Sequence, residues 1–284
     1  MSIKISGTGS FIPKNIIKND SFLNSDFFDK NGEPYHNSNQ DIIDKFESIT
    51  GIKERRYADK NHNTSDLATF ASIEAIKDAG IDKEEIDYII VAHNFGEIDY
   101  NTNQYIALPS VATLVKHKLE ISNENCVAYD IIFGCPGWIE GIIQAKAFIN
   151  SGMAKKCLVI GADTLSRTVD KNDRDSLIFA DGAGAAIVEK SEDEGGILSH
   201  KTITKAGKEA LYLFCNNSYD PKIKSKTKFI KMNGRKVYEF AISTIPNALK
   251  SCIENSGKNI DDIKKIFLHP VSYTHLRAHE TTCD

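Results

Sequence analysis

Residues 127–148, V-A-Y-D-I-I-F-G-C-P-G-W-I-E-G-I-I-Q-A-K-A-F, restrict the fold more than any other part of this chain. Val127, Ala128, Ile131, Ile132 and Phe133 make an apolar run of strand length, which predicts a strand buried on both faces. Gly134 follows, and a residue without a Cβ permits a tight turn. Pro136 is tolerated in the first turn of a helix, where its missing N–H has no partner to lose. Ile139, Ile142, Ile143, Ala145, Ala147 and Phe148 then predict a helix that is apolar nearly all round, and therefore buried.

Between strand and helix stands Cys135. The positive end of a helix macrodipole stabilises a thiolate and lowers the thiol pKa. A thiolate is a nucleophile, so a sulfur placed here is suited to accept an acyl group. The arrangement parallels the nucleophile elbow of hydrolases, with sulfur in place of oxygen. The competing reading is a small buried hydrophobe, which is what most free cysteines are. The Gly-Cys-Pro-Gly setting keeps bulk away from the sulfur and favours the chemical reading.

The rest of the chain alternates strands and helices. Residues 3–12 open as a strand, and 65–80 form a helix whose stripe of Ala68, Ala71, Ala75 and Ala79 permits close packing, with Gly80 closing it. Residues 88–92 and 158–162 are buried strands, 108–119 a further helix, and 182–189 a strand entered through glycines. The last lacks the G-x-G-x-x-G that opens a phosphate-binding helix. This alternation predicts an α/β fold with a mainly parallel sheet covered on both faces. Residues 24–41 read as a polar surface insertion. Lys222, Lys224, Lys226 and Lys228 alternate along 221–233, either as a docking patch for an acidic carrier or as a lysine-guarded edge strand; the second reading is favoured.

A net charge of −4 argues against nucleic acid as the main partner. No apolar run approaches the roughly 18 residues that span a bilayer, and the N-terminus lacks the apolar core of a signal peptide. The six cysteines (126, 135, 157, 215, 252 and 283) include no C-x-x-C pair, which points to free thiols in a reducing cytoplasm.

The chain also echoes itself. Gly80, Ile86, Ile89 and Ala92 recur as Gly257, Ile263, Ile266 and His269, each 177 residues on, and both copies follow a helical pattern. This suggests duplication, with residues 1–190 as a first half carrying Cys135 and 191–269 as a partial second half. The echo places His269 at the C-terminal end of a buried strand, where α/β sheets gather their ligands. Only 15 residues follow it. They show neither strand nor helix periodicity, and 270–284 read as a non-native tail, resembling translated adapter sequence, with the second half unfinished. His275, His279 and Glu280 have the spacing of a helical metal pair but lack a surrounding apolar pattern and a third ligand, so no metal site is expected.

Seven stretches taken together resemble the beta-ketoacyl-acyl-carrier-protein synthase III family of the thiolase superfamily. They are G-T-G-S-F-I-P (7–13), T-G-I-K-E-R-R (50–56), the Gly134–Cys135 turn, G-A-D-T-L-S-R-T (161–168), D-G-A-G-A-A (181–186), M-N-G-R-K-V-Y (232–238) and F-L-H (267–269). The resemblance implies a duplicated, five-layered α/β/α/β/α thiolase-like fold and a homodimer. It implies decarboxylative condensation of an acyl thioester with malonyl-ACP, in fatty acid or related biosynthesis, with acyl carrier protein as partner and acyl-CoA or acyl-ACP as donor. It assigns Cys135 as the acyl-accepting residue, His269 as a donor to the malonyl thioester carbonyl, and Arg167 to the coenzyme A nucleotide, with no metal or redox cofactor. The chain departs from the pattern in three places. Lys45 and Ile49 stand where an aromatic and an arginine usually clasp the adenine, Trp138 follows the cysteine, and Pro270 replaces the start of a Gln-Ala-Asn run. Without the asparagine of that pattern, the chain is expected to condense poorly. The alternatives are a non-decarboxylating acyltransferase of the same superfamily and a catalytically inactive partner subunit.

Overall fold

The computed structural model describes residues 2–269. The strands are β1 (Ser2–Phe11), β2 (Asn15–Lys18), β3 (Glu54–Tyr57), β4 (Tyr88–His93), β5 (Glu97–Ile98), β6 (Tyr105–Ile106), β7 (Val127–Ile132), β8 (Lys156–Thr164), β9 (Asp181–Ser191), β10 (Leu213–Asn216) and β11 (Phe229–Met232). The helices are α1 (Asn39–Thr50), α2 (Thr64–Ala79), α3 (Val111–Lys118), α4 (Gly137–Asn150) and α5 (Gly234–Asn255). The metal-like spacing at His275, His279 and Glu280, and the tail from 270, lie outside the described residues.

The chain divides into two units, each assembled from separate stretches of sequence. One holds Met1–Ile16, Arg56–Arg167 and Ala180–Leu198; the other holds Ile17–Arg55, Thr168–Phe179 and Ser199–Asp284. Two excursions of the early chain thus group with the late chain. Residues 24–41 are more than a surface insertion, since Phe27 is buried with Ile42, Ile43 and Leu177, and Ser38 caps α1 in a reciprocal box with Asp41.

The first unit is built on a five-stranded sheet in the order β1-β9-β8-β4-β7. It is mixed, not mainly parallel: β1–β9 and β9–β8 run antiparallel, β8–β4 and β4–β7 parallel. Parallel neighbours need a crossover; α3 and α4 provide it between β4, β7 and β8. The link from β8 to β9 contains only two short 3-10 turns, and β9 returns antiparallel. Ile89, Ile90 and Val91 of the central β4 are fully buried. Ile89 and Val91 face the side of α2 and α3, Ile90 the side of α4.

The alanine stripe of α2 meets glycines of β1 at backbone distance. A Cβ on Gly7 would lie 2.4 Å from the Ala75 carbonyl oxygen, and one on Gly9 would lie 2.1 Å from that of Ala71. Only glycine fits such an approach.

Strand β7 is not buried on both faces. It is the sheet's edge, with Val127 46 % and Ile132 72 % exposed. An apolar run records that a strand is to be covered, not that this same chain covers it. Helix α4 is buried along Gly137, Gly141, Ile142, Ala145 and Ile149, but Ile139 on its outer side is 56 % exposed.

In the second unit, β10 and β11 pair antiparallel. Lys231 of β11 is wholly buried, donating to Asp170 and, at 3.1 Å, to Asp173, with its ammonium 3.4 Å from the centre of the Tyr219 ring. A buried ammonium is tolerated only when paired in this way. The alternating lysines form no edge strand: the strand starts at Phe229, and Lys222, Lys224 and Lys226 lie in exposed irregular backbone. No strand forms at 263–269 either, where Ile266 is 47 % and Phe267 85 % exposed. Among the described residues the second unit has no larger sheet for such a strand to join, so its apolar side chains have nothing to cover them.

Candidate active site

Cys135 lies in the turn between β7 and α4. Gly134 before it adopts φ +77°, a left-handed conformation that favours glycine, and its carbonyl accepts from the Gly137 N–H at 2.9 Å, closing the turn. Pro136 is the N-cap and Gly137 the first helical residue, so the proline stands one place earlier than expected. A Cβ on Gly137 would come within 2.9 Å of the Ala92 side chain, which shows how tightly the start of α4 is pressed onto the end of β4. Cys135 is exposed as a residue.

The expected lowering of the Cys135 pKa is overturned. The thiol is pushed up from its ordinary value, first by desolvation among neighbouring atoms and then by the Asp163 carboxylate, while its own backbone N–H acts weakly the other way. The residue is exposed while its thiol is desolvated by neighbouring atoms, and that desolvation is the first cause of the shift, with Asp163 adding to it. The macrodipole argument counted the helix and omitted the sheet residues facing it.

Those residues form a polar cluster at the C-terminal ends of β4, β7 and β8. Asp163 accepts from the backbone N–H groups of Asn94 and Phe95 and from the Asn94 side-chain amide. Burial pushes its carboxyl up from the usual range, and these hydrogen bonds oppose the shift. Asp130 accepts from the Val111 and Ala112 N–H groups at 2.8 and 2.7 Å and meets His93 Nε2 at 3.0 Å, fixing the start of α3 to the sheet. His93 is buried, and its Nδ1 has no hydrogen-bond partner among the described residues. Sequence reasoning missed this group. The available signal was Asp130, an acid inside an otherwise apolar strand, since a buried charge is tolerated only with partners.

Arg167 is held by the polypeptide around it. It is 6 % exposed, and its guanidinium donates to the Asn63 side chain and to the carbonyls of Ile98, Asp59 and His62 while lying 5.3 Å from the Tyr100 ring. It organises the polypeptide around 59–63 and 98. His269 belongs to the second unit, in exposed irregular backbone and not at the end of a buried strand; Cys135 belongs to the first.

The second unit contains a cavity of about 510 Å³, walled by Ile42, Phe46 and Ile49 of α1 and by Tyr238 of α5, with Lys45 and Arg174 among its lining residues. Arg174 lies 4.7 Å from the Tyr35 ring. Asp175, also lining the cavity, has its carboxyl pushed up to about 6, mainly by burial and then by Asp173.

Comparison with known proteins decides the family. The chain is 36 % identical over 272 residues to the beta-ketoacyl-[acyl-carrier-protein] synthase III of Clostridium acetobutylicum, covering 94 % of this chain and 76 % of that one. The chain belongs to the 3-oxoacyl-[acyl-carrier-protein] synthase III family. The family profile matches residues 129–206, a stretch that includes the Cys135 turn and Asp163. The corresponding enzyme of Staphylococcus epidermidis is 35 % identical over 270 residues, covering 95 % of this chain and 76 % of its own. The crystal structure of the Aquifex aeolicus synthase III superposes with a TM-score of 0.80 at 30 % identity, covering 99 % of this chain and 80 % of that one. The fold is thus that of the thiolase-like synthase III enzymes, and the chain is a transferase of that class.

Proposed function

We propose that this synthase III-family chain condenses an acyl thioester with malonyl-ACP through an acyl-Cys135 intermediate, giving a 3-oxoacyl-ACP for fatty acid or related lipid or polyketide synthesis. The observation that carries the reading is an exposed cysteine just after a left-handed glycine, in the turn that opens a helix. The sulfur attacks the acyl carbonyl, the donor's carbon–sulfur bond breaks, and the donor thiol leaves with the proton that Cys135 gives up. Malonyl-ACP then loses CO₂, and the electron pair of the broken carbon–carbon bond becomes an enolate. Its α-carbon bonds to the acyl carbonyl carbon, and collapse of the tetrahedral intermediate returns the sulfur to Cys135. In this scheme His269 donates to the malonyl carbonyl oxygen as its charge develops.

The same reading makes the protein a homodimer of the cytoplasm. Val127 and Ile132 of the edge strand, Phe133 of the turn and Ile139 of α4 are each exposed, and an uncovered edge strand invites pairing with another chain. Among the described residues no helix is long and apolar enough to cross a membrane.

The deciding experiment incubates the full chain with short acyl thioesters and maps the modified peptide by mass. Acyl groups on Cys135, absent in Cys135→Ala, are expected; a modified residue elsewhere rejects the scheme. CO₂ release on adding malonyl-ACP separates condensation from transfer without decarboxylation.

A further inference from the structure

Lys222, Lys224, Lys226 and Lys228 stand outside helices and strands, all four exposed. From Pro221 to Tyr238 the chain holds seven cationic residues and no acid, in a protein of net charge −4. Three of the seven are paired within the second unit: Lys231 with Asp170 and Asp173, Arg235 and Lys236 with Glu239. The other four form no ion pair among the described residues; Lys228 donates to the neutral Asn217 side chain. Like charges this near one another repel, and an anionic partner relieves that repulsion. The stretch is held at both ends by one carboxylate. Ser218 Oγ and the Tyr219 N–H donate to Asp170 at 2.9 and 2.7 Å, and beyond the lysines the buried Lys231 ammonium meets the same Asp170. Between these ends the Ile223 N–H closes a turn on the Asp220 carbonyl at 3.1 Å, and the Asp220 carboxylate accepts from the Lys222 N–H at 2.8 Å. The turn at 29–33 lies alongside: a Cβ on Gly32 would stand 3.5 Å from the Tyr219 carbonyl oxygen, and the Asp29 carboxylate is taken up by the N–H groups of Asn31 and Glu33.

We infer that residues 222–228 are a cationic loop, fixed at its base, that docks an acidic face of the carrier protein bringing the malonyl group and speeds its arrival more than it tightens its hold. The identity of the partner rests on the proposed reaction; the need for an acidic partner rests on the loop alone. A lysine-guarded edge strand would account for the same residues, but no strand forms there. Anchoring at Asp170 means that little chain has to be ordered when the partner arrives, which lowers the cost of docking. Exposed lysines at a contact act through the long-range field and hence on the association rate. The place suits a carrier: Lys228 is separated from Met232, in the wall of the second unit's cavity, by ~13 Å of extended chain. Other polyanions fit less well. The net charge of −4 disfavours nucleic acid. A lipid surface wants apolar side chains to insert, and between 222 and 228 Ile223 is the one large apolar residue.

The test follows association and dissociation of the full chain with fluorescently labelled malonyl-ACP at about 50 and about 200 mM salt. In the triple variant Lys222→Glu, Lys224→Glu, Lys226→Glu the association rate at low salt is expected to fall about tenfold, the dissociation rate to change less than about threefold, and the salt dependence to shrink. A second triple variant, Lys14→Glu, Lys77→Glu, Lys190→Glu, makes the same change in net charge on exposed lysines of the first unit. Its association rate should stay within about twofold of the wild type. Equal losses in the two triples, an unchanged rate in the first, or no carrier binding by the wild type overturns the inference. So does wild-type binding to phosphatidylglycerol vesicles in place of the carrier. Should the first triple fail to fold by circular dichroism, Lys224→Glu alone decides, with an expected loss of about twofold to threefold in association rate. Acylation of Cys135 by a small acyl thioester involves no carrier and should be unchanged in both triples. A wild type that binds the carrier through this loop yet never acylates Cys135 would reject the proposed function and leave the docking surface standing.

Discussion

Helix α2 with β4, and helix α5 with the residues after it, begin alike and end differently. Gly80 (φ +65°) and Gly257 (φ +72°) stand at equivalent places, each donating at 3.1 Å to a carbonyl three residues back, Lys77 or Glu254. Asp82 and Asn259 then open 3-10 turns with reciprocal side-chain caps from Glu85 and Asp262. All these pairs are 177 residues apart. Beyond them the first copy becomes β4, the most buried strand of the molecule's main sheet, and the second becomes irregular chain with exposed Ile266 and Phe267. The turns are written locally, in glycine conformation and short-range capping. The strand is not: β4 exists because β7 and β8 pair with it on either side, and residues 263–269 have no such neighbours among the described elements.

The largest effect that would separate the copies lies in the strand positions. Ile90→Ala removes a wholly buried side chain between α4 and the sheet and should cost about 2–5 kcal/mol in urea unfolding. Phe267→Ala should stay within about 0.5 kcal/mol, because the ring is already in water; a comparable loss there would break the contrast. The glycines come next, and here the copies should agree. Gly80→Ala and Gly257→Ala each force a Cβ into a left-handed backbone at about 1–2 kcal/mol, read by global unfolding for the first and by hydrogen exchange at the end of α5 for the second. The caps are smallest: Asp82→Ala and Asn259→Ala should each cost about 0.5–1 kcal/mol of local protection. Unequal losses within either pair would show that the two turns share a sequence pattern without sharing its energetics.

The same division between local and distant causes governs what the sequence made legible. The Gly134–Cys135 turn, α2 with its alanine stripe and the central strands follow from short-range patterns and appear nearly where expected. The edge position of β7 was hidden, because an apolar run reads the same whether its cover comes from a neighbouring strand or from elsewhere. The antiparallel β9 was hidden because direction depends on what the connection contains. The four acceptors gathered round Arg167, spread over residues 59–98, were hidden because no local window holds them and the arginine together. The direction of the Cys135 shift failed for a similar reason: Asp163 lies outside any window that contains the cysteine, and no periodicity announces a carboxylate arriving from another strand.

The meeting of β1 with α2 has a consequence for how the first unit behaves as a body. Where main chain lies against main chain at Gly7 and Gly9, no side chain intervenes that could be repacked, so the seam has no compliant layer. Helix and strand must shift as one piece. The start of α2, where Asn63 receives the Arg167 guanidinium and Ser65 holds the buried Glu97 carboxylate, therefore takes its position from the first ten residues of the protein. A disturbance in that opening strand would be felt as a misplaced helix end some fifty residues later in the sequence, with no local change there to account for it.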